Sequence, residues 1–249
     1  MLTFHVITLF PELIETYCST SILGRGQSAE KWALKTYNPR DFCLDKYRRV
    51  DDTPYGGGAG MVLKPEPIFQ AFESIKRHSN SPVLLLSPHG APFSHTHAAR
   101  LAANQEITVI CGHYEGIDER VKTLVTEEIS VGDYVLTGGE LPALIVIDAV
   151  SRLIPGVLGK AESLQDESFT HGLLEAPQYT KPAVYRNMEV PEVLRSGDHA
   201  AIALWRRLQA LRVTFKKRPD LLETLKLDKT DRRFLDSLGK DKESENLLP

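Results

Sequence analysis

Ile107-Thr108-Val109-Ile110-Cys111-Gly112-His113-Tyr114-Glu115-Gly116, continued by Ser130-Val131-Gly132-Asp133-Tyr134-Val135-Leu136 and Thr137-Gly138-Gly139-Glu140-Leu141-Pro142, is the stretch whose reading decides the fold. Two apolar runs each end in a glycine-bearing turn, and the second turn leads straight into an apolar helix. Glycine lets main-chain N–H and C=O groups approach a ligand with no Cβ in the way. In a mostly parallel α/β sheet, small ligands sit in the loops that leave the carboxyl ends of the strands. The stretch therefore predicts a cofactor cleft built largely from main chain.

Upstream lies a third unit of the same kind: Val83, Leu84, Leu85 and Leu86, within an expected strand over 82–87, lead into Ser87-Pro88-His89-Gly90. Further strands are expected at 4–10 and 32–37. Helices are expected from Pro11 to about Tyr17, over 65–77 (Ile68, Phe69, Phe72 and Ile75 at helical spacing) and over 94–104 with Ser94 as cap. A short charged helix should follow Gly116, and 21–27, with Gly24 and Gly26, reads as a loop. Strands alternating with helices through short connections mean a parallel α/β sheet. The segment 141–154 is apolar on nearly every face, which suits a helix buried on all sides. In a domain this small, that favours burial against a second subunit.

A chain of 249 residues holds one large domain or two modest ones. A net charge of −3 argues against a uniformly basic nucleic-acid coat but leaves room for a local basic face. Cys18, Cys43 and Cys111 are widely separated with no C-x-x-C pair, which fits a reducing, cytoplasmic setting without a disulfide framework or zinc site. The apolar start has no basic n-region and is cut off by Pro11-Glu12, so no signal peptide is expected. Pro142, Asp148 and Arg152 interrupt the most apolar run, so no membrane span is expected.

From Pro155 the character changes: Gly156, Gly159, Gly172 and Pro177 punctuate a polar connection. Helices are then expected near 191–196, over 199–217 and in two shorter pieces up to about Leu238, with a frayed charged tail of ten residues. The expected division is 1–160, a linker at 161–182, and a helical domain at 183–249. On the long helix, Ile202, Trp205, Leu208, Leu211 and Phe215 form the core stripe. Arg206, Arg207, Arg212, Lys216, Lys217 and Arg218 give six positive charges with no acid before Asp220.

Other motifs are weighed on their chemistry. Gly56, Gly57, Gly58 and Gly60 fall within five residues, bracketed by Pro54-Tyr55 and Met61-Val62-Leu63, unlike a Ser/Gly-padded linker. This reads as a functional loop, without the spacing of a phosphate loop. The Gly-x-Gly-x-x-Gly fingerprint is absent, which weakens a dinucleotide reading. His95 and His97 point to different sides of a helix with no third ligand nearby, so no metal site is expected.

Asp52-x-Pro54-Tyr55-Gly56-Gly57-Gly58-x-Gly60-Met61, Gly112-x-Tyr114-Glu115-Gly116-Ile117-Asp118-Glu119-Arg120 and Gly132-Asp133-Tyr134-Val135-Leu136-x-Gly138-Gly139-Glu140-Leu141-Pro142 together resemble the bacterial tRNA (guanine-N1)-methyltransferase family. So do Arg152-x-Ile154-Pro155-Gly156-Val157-Leu158-Gly159 and Tyr179-Thr180-x-Pro182. The resemblance covers essentially the whole chain. It implies a SPOUT-type parallel sheet with a C-terminal trefoil knot, followed by a small all-helical domain. Periodicity does not predict a knot, since chains ordinarily avoid threading loops.

The resemblance also implies an S-adenosylmethionine site formed by Leu86, Ser87 and Pro88, then Gly112, Tyr114, Glu115 and Gly116. Val131, Gly132, Asp133, Tyr134, Val135, Leu136, Gly138, Gly139 and Pro142 complete it. The family works as a homodimer with an active site drawing on both subunits, and methylates the guanosine immediately 3′ of the anticodon in tRNA, which helps keep the reading frame. Tyr55, Gly57, Gly58, Arg206, Arg207 and Lys216 become candidates for tRNA binding, and Mg2+ a candidate requirement of the reaction.

Guanine N1 carries a proton at neutral pH, so a carboxylate near N1 and a cation near O6 would lower the barrier. By resemblance Arg152 is the cation. The family's aspartate before Ser-Phe aligns here with Glu167 before Ser168-Phe169, so Glu167 is the first candidate base and its neighbour Asp166 the second. Rival readings are a SPOUT methyltransferase acting on another RNA and a non-catalytic RNA-binding protein.

Overall fold

Val83, Leu84, Leu85 and Leu86 are buried without exception, although side chains alternate between the faces of a strand. Leu84 and Leu86 face one apolar cluster, Val83 and Leu85 another. Such a run suits a parallel strand covered on both sides. The computed structural model describes residues 1–159 and 167–245, with helical side chains through 239.

In order, the first part of the chain forms β1 (Leu2–Ile7), α1 (Pro11–Cys18), α2 (Ser21–Ser28), β2 (Trp32–Tyr37), β3 (Asp51–Asp52), β4 (Val62–Leu63), α3 (Pro65–Glu73), β5 (Val83–Pro92), α4 (His95–Ala102), β6 (Glu106–Cys111), β7 (Glu127–Ser130) and α5 (Glu140–Ser151). Five strands make one parallel sheet in the order β2-β1-β6-β5-β7. The strands β6, β5 and β7, which carry the three glycine turns, are therefore neighbours, with their carboxyl ends on the same side. One cluster packs Phe4, Val6, Leu84 and Val109 with Ile14, Trp32, Ile147 and Val150; the other packs Ile7, Leu85 and Ile110 with Ile68, Ala71 and Val121.

Several expectations are corrected. The segment read as a loop at 21–27 is helical, because its glycines meet close packing: a Cβ on Gly26 would lie 2.9 Å from the Trp32 indole nitrogen. The helix α3 ends at Glu73 rather than Arg77. The strand β5 runs on to Pro92, with its pairing to β7 shifting register between Leu86 and Ala91, so Ser87-Pro88-His89-Gly90 is an irregularity inside the pairing. The charged helix after Gly116 is a 3-10 helix, Glu119–Leu124. The expected apolar helix is present as α5, with Leu144, Val146, Ile147 and Val150 buried and Leu141 and Ile145 exposed in the single chain.

By internal contacts the chain divides into units 1–161 and 162–249. The second unit contains a two-residue hairpin of β8 (Val184–Tyr185) and β9 (Met188–Glu189), a 3-10 turn Glu192–Arg195, and helices α6 (His199–Lys217), α7 (Asp220–Glu223) and α8 (Lys229–Glu245). Asp198 caps α6 by accepting from the N–H groups of Ala200 and Ala201. The last helix is long rather than short and continues to Glu245, past the expected start of fraying. Leu173 and Ala176 are buried, and the Leu174 N–H donates to Thr214 Oγ1 on α6 at 2.9 Å, so this part of the expected connection is packed into the second unit. No helix among the described residues is long and apolar enough to cross a membrane.

Candidate cofactor site

The three turns converge on one cavity of about 350 Å³, within the range of about 300–1,000 Å³ common for small-molecule sites. Leu86, Ser87 and Pro88 line it from β5; Gly112, Tyr114, Glu115 and Gly116 from the turn after β6. Val131, Gly132, Tyr134, Val135, Leu136, Gly138, Gly139 and Pro142 line it from the segment joining β7 to α5. Asp133 is exposed and is the one expected cofactor residue absent from the wall. In the bend at Ser130, its hydroxyl instead accepts the Gly132 N–H at 3.2 Å.

Backbone geometry explains the glycines. Gly116 and Gly132 sit at φ +146° and +153°, in territory open mainly to glycine. The Gly139 N–H donates to the Gly112 carbonyl at 2.7 Å, and its missing Cβ would lie 2.8 Å from Cys111 Cα. His113 and Gly138 pair as an antiparallel bridge. Main chain is thus zipped against main chain between two cavity turns. Tyr114, at φ +61°, adopts a conformation uncommon for a side-chain-bearing residue. His113 packs edge-on against its ring, and Arg40 Nη2 donates to its hydroxyl at 3.3 Å.

The glycine-rich loop is strapped to this wall. The Glu115 N–H donates to the Met61 carbonyl at 3.0 Å, and the Leu63 N–H to the Gly116 carbonyl at 2.9 Å. Tyr55 is fully exposed, and Gly57 and Gly58 hold positive φ with open space around them.

The tRNA (guanine-1)-methyltransferase TrmD family model matches residues 2–224. The chain belongs to this family. It is 54% identical over 236 residues to the tRNA (guanine-N(1)-)-methyltransferase of Dehalococcoides mccartyi strain CBDB1, covering 94% of this chain and 95% of that protein. It is 52% identical over 241 residues to the protein of that name from Dictyoglomus turgidum, covering 97% and 98%. With the Staphylococcus haemolyticus protein it shares 53% over 235 residues, covering 94% and 96%.

In this TrmD-family chain, Arg152 directly follows α5, half-buried, its N–H donating to the Asp148 carbonyl at 3.1 Å. Glu167 lines a second cavity, of about 210 Å³ and wholly within the second unit, together with His171, Glu175, Arg206 and Arg207. The turn beginning at Glu167 is tight: the Phe169 N–H donates to the Leu173 carbonyl at 2.7 Å, and the Glu175 N–H donates to Ser168 Oγ at 3.0 Å. Asp166 lies outside the described residues. Arg206 and Lys216 are exposed, whereas Arg207 is bound by both oxygens of Asp231, at 3.2 and 2.7 Å.

Sequence reading missed His113, Thr137, Glu119 and Lys122 in the first wall. His113 and Thr137 stand between residues already singled out, and adjacency to turn glycines was the available signal. Lys122 is held by Glu119 at 3.1 Å and by Glu128 of β7 at 3.3 Å, a pairing that appears only once the strand is placed.

Proposed function

We propose that this chain transfers a methyl group from S-adenosylmethionine to N1 of the guanosine immediately 3′ of the anticodon in tRNA. The observation that carries the reading is the convergence of three glycine turns on one cavity in a member of this family. The wall suits such a donor: main chain free of Cβ at Gly112, Gly116, Gly138 and Gly139 approaches polar ligand edges, and Leu86, Val131 and Leu136 offer apolar cover. When bound, the donor supplies an electrophilic methyl on a sulfonium centre.

The remaining chemistry falls to side chains. Glu167 takes the N1 proton, with Asp166 second in line for that role, and a positioned base of this kind contributes about 10²–10⁴-fold. The guanidinium of Arg152 stabilises the negative charge that develops on O6. Tyr55, Gly57 and Gly58 hold the anticodon region, while Arg206 and Lys216 contact phosphates. Arg207 serves there only as far as Asp231 leaves it available. Among the described residues no group of three or more His, Cys, Asp or Glu forms a metal-holding set.

Two features of the family belong to the same proposal. The trefoil knot is supported by the path of the chain: β7 lies beyond β5 at the sheet edge, yet Gly138 and Gly139 return to the end of β6. The homodimer is supported by Leu141 and Ile145 of α5 and by Leu13 and Tyr17 of α1, apolar residues left exposed on two helices that contact one another. A single-turnover assay on tRNA transcripts carrying guanosine or adenosine 3′ of the anticodon, with the methyl mapped to a ring position, tests the reading. Transfer to N1 of guanosine alone is expected; methylation elsewhere overturns it.

A further inference from the structure

We infer that Glu140 is a positioning residue for the cofactor site, tying the end of β1 to the turns after β6 and β7 through Thr8 and His113; this rests on the cofactor reading above. Glu140 opens α5 and is only 5% exposed. Thr8, equally buried, donates its hydroxyl to Glu140 Oε1 at 2.8 Å and accepts the Phe10 N–H on the same oxygen at 3.0 Å. Glu140 Oε2 lies 4.0 Å from the buried His113 Nδ1, a packing contact beyond hydrogen-bond reach, and the Phe10 ring packs on the His113 ring with centroids 5.2 Å apart.

The backbone closes around this group. Gly138 pairs with His113, and a Cβ on Gly138 would run into the Glu140 carboxylate and lie 2.6 Å from His113 Nδ1. Thr8, Phe10 and Glu140 do not line the cavity, but His113, Gly138 and Gly139 do. Any effect of Glu140 on the donor therefore passes through those turns.

A carboxylate suits this place on physical grounds. The start of a helix favours negative charge. A buried carboxylate is tolerated when it is hydrogen-bonded, as this one is by Thr8. An apolar side chain here would leave the Thr8 hydroxyl buried without its acceptor.

The test compares wild type with Thr8→Val, Glu140→Gln and Glu140→Ala. S-adenosylmethionine affinity is measured by calorimetry well below each thermal midpoint, and tRNA affinity by filter binding. Thr8→Val and Glu140→Ala should weaken donor binding roughly tenfold or more, the scale of a lost hydrogen bond to a charged group, with tRNA affinity unchanged. Glu140→Gln, which keeps an acceptor for Thr8, should recover most of the loss. Variants that melt earlier yet bind the donor as wild type does would reduce Glu140 to a core residue and overturn the inference alone. A Gln variant as weak as the Ala variant overturns the Thr8 link. Wild type that takes up no donor overturns the cofactor reading itself. Thr8→Val, nearly isosteric, carries the comparison should Glu140→Ala fail to fold.

Discussion

Gly60 and Glu115 are in direct contact: a Cβ on Gly60 would stand 2.6 Å from Glu115 Oε1, and Gly60 itself holds φ +84°. With Met61 and Leu63 hydrogen-bonded to Glu115 and Gly116, the glycine-rich loop and the turn after β6 form one piece. Gly60→Ala should therefore displace Glu115 as well as strain the loop. A fall of about tenfold or more in kcat/KM is expected, since small misplacements at a reacting site are costly. Gly57→Ala adds strain without a collision, as nothing lies within 4 Å of its missing Cβ. Steady-state kinetics with each substrate varied in turn checks the contrast: Gly60→Ala should raise KM for the donor, Gly57→Ala should not.

The Arg207–Asp231 pair makes stability in the second unit depend on pH. Hydrogen bonds from Arg207 hold the Asp231 carboxyl below its usual range. A carboxyl whose folded pKa is depressed contributes stability that is present above the unfolded value, about 3.9, and is lost as pH falls through the folded value. Asp231→Asn should thus cost about 1–3 kcal/mol at neutral pH, a gap that shrinks below about pH 4. Urea unfolding of both proteins across that range measures it; a constant gap would show that the carboxylate charge plays no part.

Some of this was legible in the residues and some was not. The turn glycines between Cys111 and Pro142 announce close main-chain approach because so many glycines, set directly after apolar runs, suit neither a helix nor a strand interior. The apolar runs before them fix strands. Gly24 and Gly26 mislead for the same reason: their missing Cβ atoms answer to the Ser19 backbone at the end of α1 and to the Trp32 indole of β2, an arrangement that appears only once α1, α2 and β2 are placed. Arg207 looks like any member of a basic helix face until α8 brings Asp231 against it. The bond between Thr8 and Glu140 joins residues 132 apart in sequence, beyond the reach of any periodicity. The base candidates came from a motif resemblance alone, since composition makes Glu167 an ordinary acid.

The thiols should separate cleanly. Burial pushes Cys18 up to about 12 and raises Cys111 as well; it also raises Cys43, but that thiol is only half-buried and stays open to a reagent. Reactivity belongs to the thiolate, so at pH 8 a disulfide reagent should label Cys43 alone in the native protein. All three cysteines should react in denaturant. Fast labelling of Cys18 or Cys111 in the native state would contradict the packing around β6 and α1.

The basic face of α6 is tested through salt. Replacing Arg206 and Lys216 with Gln should weaken tRNA binding and reduce the slope of log affinity against log salt by about 2 if each meets one phosphate. Arg207→Gln should act mainly on stability, through Asp231. Filter binding at several salt concentrations distinguishes the two. An unchanged slope in the double variant would leave both as solvated surface charges.

The base assignment gives the sharpest kinetic test. Glu167→Gln keeps shape and hydrogen-bonding capacity but cannot take a proton, so kcat should fall by about 10²–10⁴-fold. Donor affinity should stay unchanged, because Glu167 does not line the cavity formed by the three glycine turns. Asp166→Asn should cost much less. Should Asp166→Asn lose turnover to that extent while Glu167→Gln keeps most of it, the proton goes to Asp166, and Glu167 serves only the tight turn that starts there.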